Sequence, residues 1–309
     1  MNFQKNVSLS DFSNYKIGGP AKLFVEVGAT EELKEVLKQI EGNEKIFILG
    51  GGTNILIGDK GFDGLVIHNK VEGINLLENG LEVGSGVVVK DLMNFCIENS
   101  LSGLEWAGGL PGTIGGAIRG NAGAFKGETK DSVVQVKSLD LKTLNEKERN
   151  NEECSFGYRD SIFKSGIAAA EFITSVVLEL TQGNKEEIKQ SIQQKIDYRI
   201  NRHPIDLPNI GSTFKNIPLD LLSSELQKEF APFVKTDPFP VVPTTKLLAL
   251  AGLKGKRIGD AMISDKHPNF IVNLGNAKSE DVKILIEIAK EALKEKYGIL
   301  LEEEIQYLD

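Results

Sequence analysis

The sequence predicts a protein of mixed α and β structure, divided into two or three domains. At 309 residues the chain is longer than one hydrophobic core usually organises. Short apolar runs alternate with segments of helical period from Leu23 onward. Two glycine clusters, Gly50-Gly51-Gly52-Thr53-Asn54 and GGLPGTIGGAIRGNAGAF (108–125), each follow apolar segments in consecutive units. Glycine loses the most backbone entropy on folding, so such clusters need a use for bare backbone.

Taken in order, Leu23–Val27 reads as a strand, and Leu33, Val36, Leu37 and Ile40 fall on one face of a short helix. Ile46–Leu49 is a buried strand running into the first glycine cluster, and Leu65–Ile67 closes this unit near residue 70. The pattern restarts with a strand at Leu81–Val83 and a helix near Val87–Asn99 that puts Val88, Leu92, Phe95 and Cys96 on one face. After the second cluster come strand-like runs at Val133–Leu141 and Phe172–Leu180, and the polar segment between them, 145–161, reads mostly as loop. A polar helix over Lys185–Asn201 leads to a proline-rich stretch, RHPIDLPNIGSTFKNIP. The helix near Thr244–Ala251 stops at Gly252, a C′ glycine. Asn269–Leu274 reads as a strand, and Ser279 is placed to cap a long helix ending at Gly298. In the final strand, Ile299–Leu308, alternation sets Leu301, Glu303, Ile305 and Tyr307 against Glu302, Glu304 and Gln306.

Composition is that of a soluble globular protein, 40% hydrophobic and 26% charged. A net charge of −8 without a compensating basic face argues against nucleic acid as a partner. Cys96 and Cys154 lie far apart in unrelated settings, which predicts free thiols and a cytoplasmic location. The opening MNFQKNVSLS lacks an apolar signal-peptide core, and no apolar run approaches the length of a membrane span. His68, His203 and His267 show no ligand spacing, so no metal site is assigned.

The glycine clusters carry Ile, Leu, Phe and Thr rather than the serine of flexible linkers. They match neither standard phosphate loop. Gly252–Arg257 (GLKGKR) has the wrong spacing and end for a P-loop, and Gly84-Ser85-Gly86 is followed by Val89 where a dinucleotide turn needs its third glycine. One diphosphate cradled by backbone N–H groups from both clusters is one reading, and two structural turns is the other. Pattern alone does not choose. Arg159 in Tyr158-Arg159-Asp160-Ser161, Ser212 in Gly211-Ser212-Thr213-Phe214-Lys215-Asn216, and Glu304 in the acidic C-terminal run are ordinary surface and turn residues when taken singly.

In combination, these segments resemble the UDP-N-acetylenolpyruvoylglucosamine reductases (UDP-N-acetylmuramate dehydrogenases) of peptidoglycan synthesis. The likeness rests on YKIGGPA (15–21), LGGGTNILIGDKGFDGLVI (49–67), GLPGTIGGAIRGNAGAFKGE (109–128), SFGYRDSIFK (155–164), IGSTFKN (210–216), AGLKGKRIGDAMISDKHPNFIVN (251–273) and LEEEI (301–305). It implies an α+β flavoenzyme of the vanillyl-alcohol-oxidase (PCMH) type. Two α/β FAD-binding subdomains, 1–70 and 71–183, would be followed by a substrate-binding α/β domain, 184–298, with the C-terminal strand 299–309 joining the first subdomain. FAD would be held by Gly50, Gly51, Gly52, Thr53, Asn54, Pro111, Gly112, Thr113, Gly115, Gly116, Asn121, Ala122 and Gly123.

The resemblance also implies NADPH as reductant and a UDP-sugar enolpyruvyl ether as substrate, bound by a monomer. Its catalytic positions carry over to Arg159, Ser212 and Glu304, and its substrate contacts to Tyr158, Lys215, Asn216 and, more loosely, Arg199 and Arg202. Hydride from the reduced flavin would reach the methylene carbon of the enol ether. Arg159 and Glu304 would stabilise the enolate formed beside the carboxylate, and Ser212 would protonate the carbon. Three positions depart from the family pattern: Asn14 for Thr, His203 for Gln before Pro204, and Ile217 for Pro after Asn216. The short connection from Arg159 to Ser212 marks a compact variant, without the loop whose tyrosine covers the nucleotide. An oxidase of the wider FAD superfamily, or a non-catalytic flavin binder, would keep the glycine loops without the Arg159, Ser212 and Glu304 set.

Overall fold

The computed structural model describes residues 2–40, 44–78 and 80–309. The chain divides into two compact units. One comprises Met1–Val7, Lys22–Gly51 and Asp63–Asp197, and the other Ser8–Ala21, Gly52–Phe62 and Tyr198–Asp309.

In the first unit, strands Gln4–Ser8, Pro20–Val27, Phe62–Asn69 and Ile46–Leu49 lie side by side in that order. Ile46–Leu49 runs parallel to its neighbour, with Ile46 opposite Leu65. The helix Thr30–Gln39 buries Leu33, Val36 and Leu37, the stripe its periodicity predicts. A second sheet is antiparallel throughout, in the order Glu146–Asn150, Val133–Asp140, Glu171–Leu178, Gly80–Gly84, Ile74–Leu77. The helix Val89–Glu98 buries Val89, Leu92, Met93 and Cys96 in the same core as Val83, Val136 and Val176 of this sheet. The parallel pair and the antiparallel sheet together give the α+β character.

One expectation needs an addition here. The polar segment 145–161 is largely turn and loop, as expected, but it also holds an edge strand, Glu146–Asn150, paired with Val133–Asp140. Its alternation is written in charges rather than apolar residues. Arg149 donates a fork of two hydrogen bonds to Glu171, at 2.7 and 2.8 Å, and Lys147 adds a third at 2.8 Å. The Glu171 carboxylate is buried, and ion pairs of this kind make such burial tolerable.

The core of the second unit gathers Tyr15, Ile17 and Leu56 with residues from Ile210 to Ile305. Ile55–Ile57 pairs in parallel with Gln306–Leu308. Ala261–Ile263 is the middle strand between Arg257–Ile258 and Ile271–Asn273. The helix Ser279–Tyr297 buries Val282, Leu285, Ile286, Ala289 and Leu293 and ends at Gly298 with φ 67°. Gly252, at φ 75°, follows the helix Thr244–Leu250 as predicted.

Two further expectations are corrected. Ser279 is the first helical residue rather than the cap. The capping acceptor is the distant Asp59, which takes the Ser279 N–H at 3.1 Å and its hydroxyl at 2.8 Å. The C-terminal strand is also shorter, Gln306–Leu308, and the alternation breaks within it. Leu301 and Ile305 are buried, but Tyr307 is 39% exposed and Leu308 takes the inward place.

Candidate functional site

The first unit brings its share of the two glycine clusters together. A Cβ on Gly51 would stand 2.8 Å from Gly112 Cα, and one on Gly50 would stand 2.7 Å from Thr113 Oγ1. Only glycine permits this approach. The N–H groups of Gly50, Gly51, Gly112 and Thr113 meet no acceptor among the described residues. Thr113 Oγ1 is buried and equally without a partner. Unspent donors at one backbone contact, without lysine, suit an anionic group of the diphosphate kind, so the residues fit FAD.

Other residues assigned to the cofactor also make structural contacts within the chain. Gly115 donates to Ser85 O at 2.8 Å, and a Cβ there would stand 3.0 Å from Ser85 Cβ, so this glycine serves packing. Gly116 is less confined, since its Cβ would meet Thr113 Oγ1 at 3.7 Å. Pro111 is exposed on the loop. Ala122 spends its N–H on Ala117 O and its carbonyl on Thr129. Asn121 is fully buried, with φ 39°. Its Nδ2 donates to Gly157 O at 2.9 Å and to Glu128 Oε1 at 3.3 Å, and its Oδ1 accepts from Lys130 N at 3.1 Å.

Asn121 thereby anchors the turn that carries Arg159. Gly157 and Asp160 bridge that turn, and Arg159 itself sits at φ 57°, unusual for a side chain with a Cβ. The Arg159 Nη2 donates to Gly123 O at 2.8 Å, and the guanidinium lies 5.4 Å over the Tyr158 ring. Arg119, the last residue of the helix Ile114–Arg119, has its Nη1 buried without an acceptor among the described residues. Burial pulls its pKa down against the attraction of Asp160.

Ser212 and Glu304 both belong to the second unit, where they ride on adjoining backbone. Glu304 N donates to Thr213 O at 2.8 Å, Lys215 N donates to Glu302 O at 2.9 Å, and Phe214 bridges to Glu303. Asn54, of the first glycine cluster, donates from Nδ2 to Glu304 O at 3.1 Å and accepts from Gln306 N at 3.0 Å. Gly52, at φ 61°, has Phe12 O where a Cβ would be, and its own carbonyl accepts from Asn14 N at 3.0 Å. Of the neighbouring carboxylates, Glu302 pairs with Lys215, and Glu303 with Lys290 and Tyr307.

The remaining candidates are less direct. Asn216 Oδ1 accepts from Thr244 N at 3.2 Å, so this carboxamide engages the start of the helix Thr244–Leu250. Arg199 and Arg202 lie in the last turn of the helix Lys185–Arg202, with Arg202 5.5 Å over Tyr198. The three departures have structural accounts. Asn14 Nδ2 donates to Asn209 O at 2.7 Å. Ile217 is buried opposite Val242. His203 stacks with His267 at 5.2 Å and Phe270 at 5.0 Å. Burial, with Arg199, Lys266 and Lys235 nearby, pushes His203 down to about 4. Burial and His203 push His267 down to about 3. Asn269 makes three hydrogen bonds to Thr213 and Phe214, beside Ser212, and sequence reading gave it no role. Its membership in a matched segment was the one available signal.

Two family models match the chain: "FAD binding domain" over residues 21–143, and "UDP-N-acetylenolpyruvoylglucosamine reductase, C-terminal domain" over 203–308. The UDP-N-acetylenolpyruvoylglucosamine reductase of Caldicellulosiruptor bescii is 36% identical over 311 residues, covering 99% of this chain and 90% of that protein. The one from Clostridioides difficile is 36% identical over 299 residues, covering 96% and 90%. The crystal structure of the Thermus caldophilus UDP-N-acetylenolpyruvylglucosamine reductase superposes with a TM-score of 0.79 at 30% identity, covering all of both chains. With relatives this similar along nearly its whole length, the chain belongs to the UDP-N-acetylenolpyruvoylglucosamine reductase family.

Proposed function

We propose that Ser212 is the acid of this reductase and that Arg159 and Glu304 hold the charge developed on its substrate. The enzyme is a flavin-dependent oxidoreductase that reduces UDP-N-acetylenolpyruvoylglucosamine for peptidoglycan precursors. FAD, when bound, supplies the hydride. Gly50, Gly51, Gly112 and Thr113 offer it their unspent donors, while Gly52, Thr53, Asn54, Pro111, Gly116 and Gly123 complete the proposed contacts. Gly115, Asn121 and Ala122 are proposed to lie against the cofactor as well, while their internal hydrogen bonds shape the loop.

The chain's own part is to manage charge and a proton at the enol ether. A fixed guanidinium from Arg159 and a carboxyl from Glu304 favour the enolate over the ground state. The Ser212 hydroxyl gives its proton to carbon, which is feasible only because an enolate is so strong a base. The observation that carries this reading is the shared backbone of Ser212 and Glu304: Thr213 O accepts from Glu304 N, and Asn54 fixes the Glu304 carbonyl.

Tyr158, Arg199, Arg202, Lys215 and Asn216 are proposed to hold the UDP-sugar, and NADPH to be the reductant. The enzyme acts as a cytoplasmic monomer in this reading; no helix among the described residues is long and apolar enough to cross a membrane. Residues 1–70 and 71–183 serve as flavin subdomains and 184–298 as the substrate domain. Anaerobic stopped-flow tests the assignment. Ser212→Ala is expected to be reduced by NADPH at nearly the normal rate. Its reoxidation by the enolpyruvyl substrate slows by roughly 10²–10⁴-fold, the usual worth of a positioned acid. Equal slowing of both steps, or an unaffected second step, would remove Ser212 from this role.

A further inference from the structure

We infer that Asn269 is a positioning residue for Ser212, an inference that rests on the reading of Ser212 as the acid. The Ser212 hydroxyl has no hydrogen-bond partner among the described residues, so its place is set by the backbone that carries it. That backbone turns at Gly211, with φ 84° and open space where a Cβ would be. Beyond the turn, Asn269 takes hold three times. Thr213 N donates to Asn269 O at 2.7 Å, Phe214 N donates to Asn269 Oδ1 at 3.0 Å, and Asn269 Nδ2 donates to Phe214 O at 2.8 Å.

One carboxamide thus satisfies both main-chain groups of Phe214, as a neighbouring strand would. On the other edge, Glu304 N and Glu302 O engage Thr213 and Lys215. The serine segment is clamped between the Asn269 side chain and the C-terminal run that carries Glu304. Asn209 closes the clamp upstream, its Oδ1 accepting from Gly211 N at 3.0 Å.

Asn269 is itself firmly held. It is 3% exposed and precedes Phe270, whose N–H donates to His267 O at 2.8 Å and whose carbonyl accepts from Ser264 N at 2.9 Å. The Phe270 ring packs edge-on against His267 at 4.7 Å. With its carboxamide committed to Phe214, Asn269 acts through the segment rather than on the substrate. The task also selects the residue type. The side chain must donate and accept from one planar end at this length. Aspartate offers two acceptors and would repel the Phe214 carbonyl, and glutamine is one methylene too long.

The test compares Asn269→Asp, Ser212→Ala and the double variant as holoenzymes, following each half-reaction by flavin absorbance in H₂O and D₂O. Asn269→Asp is expected to retain FAD and be reduced by NADPH within about twofold of the wild-type rate. Its reoxidation by the enolpyruvyl substrate slows roughly 10–100-fold, the scale of a displacement near 1 Å, with a larger solvent isotope effect. Acting through Ser212, it adds nothing further in the double variant, which is no slower than Ser212→Ala. If Ser212→Ala alone is slow but Asn269→Asp reoxidises normally, slows both half-reactions equally, or multiplies with Ser212→Ala, the positioning role is refuted. If Ser212→Ala itself reoxidises normally, the acid assignment fails first and this inference with it. Should Asn269→Asp not accumulate as flavoprotein, Asn269→Ser, which leaves room for a bridging water, takes its place under the same expectations.

Discussion

A single methyl group placed on Gly51 probes whether the two glycine clusters work as one flavin cradle. The Cβ of Gly51→Ala would stand 2.8 Å from Gly112 Cα, whereas ordinary contact begins at 3.4 Å, so the loops must part by 3.4 − 2.8 = 0.6 Å. Gly51 is not among the residues at positive φ, so the perturbation is steric and not conformational. Forcing extra atoms into a packed contact costs about 1–3 kcal/mol. If that cost falls on the bound state, FAD affinity drops roughly 5–150-fold. Gly120→Ala, whose Cβ would meet Gly116 O at 3.6 Å, is the matched control and is expected to bind FAD normally. Titrating apoprotein with FAD and following quenching of flavin fluorescence gives both dissociation constants. Thermal midpoints with and without saturating FAD report whether the loss is specific to the bound state. Wild-type affinity in Gly51→Ala would refute the cradle. Equal loss of stability in the apo and holo proteins, with affinity unchanged, would make Gly51 a packing residue only.

Three further outcomes are expected. Asp59→Ala removes the long-range cap of the helix Ser279–Tyr297 and should lower stability by about 1–2 kcal/mol in chemical denaturation; no change would mean that Asp59 does not stabilise the helix start. Glu302→Gln breaks an exposed ion pair with Lys215 and should leave flavin reoxidation nearly intact, while Glu304→Gln slows it; the reverse order would reassign the carboxyl. Because His203 and His267 titrate far below their ordinary value of 6.5, unfolding takes up protons below that pH. Stability should be fully present above about pH 6.5 and fall as the pH drops toward 4, by up to about 1.4 kcal/mol per pH unit for each ring. His203→Gln should lose about half of that slope in denaturation series from pH 5 to 8, and an unchanged slope would show that His203 is not one of the groups responsible.

Much of this molecule was legible because its elements obey local rules. The stripe of Leu33, Val36 and Leu37 and the stop at Gly298 each follow from a few consecutive residues. What escaped was non-local. Glu146–Asn150 shows no apolar alternation, since the residues that hold it answer to Glu171 on another strand. The cap of Ser279 lies 220 positions away. At the site, the glycines announced themselves because bare backbone is costly, and motif likeness selected Ser212 and Glu304. Asn269 offered no such sign, because a carboxamide that mimics a strand looks like any other asparagine until Phe214 is beside it.

The interleaving of the two units bears on how the protein is made. Tyr15, Ile17 and Leu56 emerge from the ribosome early, yet the core that receives them is built from residues between Ile210 and Ile305. Until the residues from Ile210 onward are translated, these side chains lack most of the core that buries them, and Ile55–Ile57 waits for Gln306–Leu308. A chain terminated near Asp197 would therefore leave an apolar surface exposed on a nascent product, open to holdases and proteases. Synthesis through Leu308, rather than folding of the N-terminal part, sets the moment at which the second unit closes.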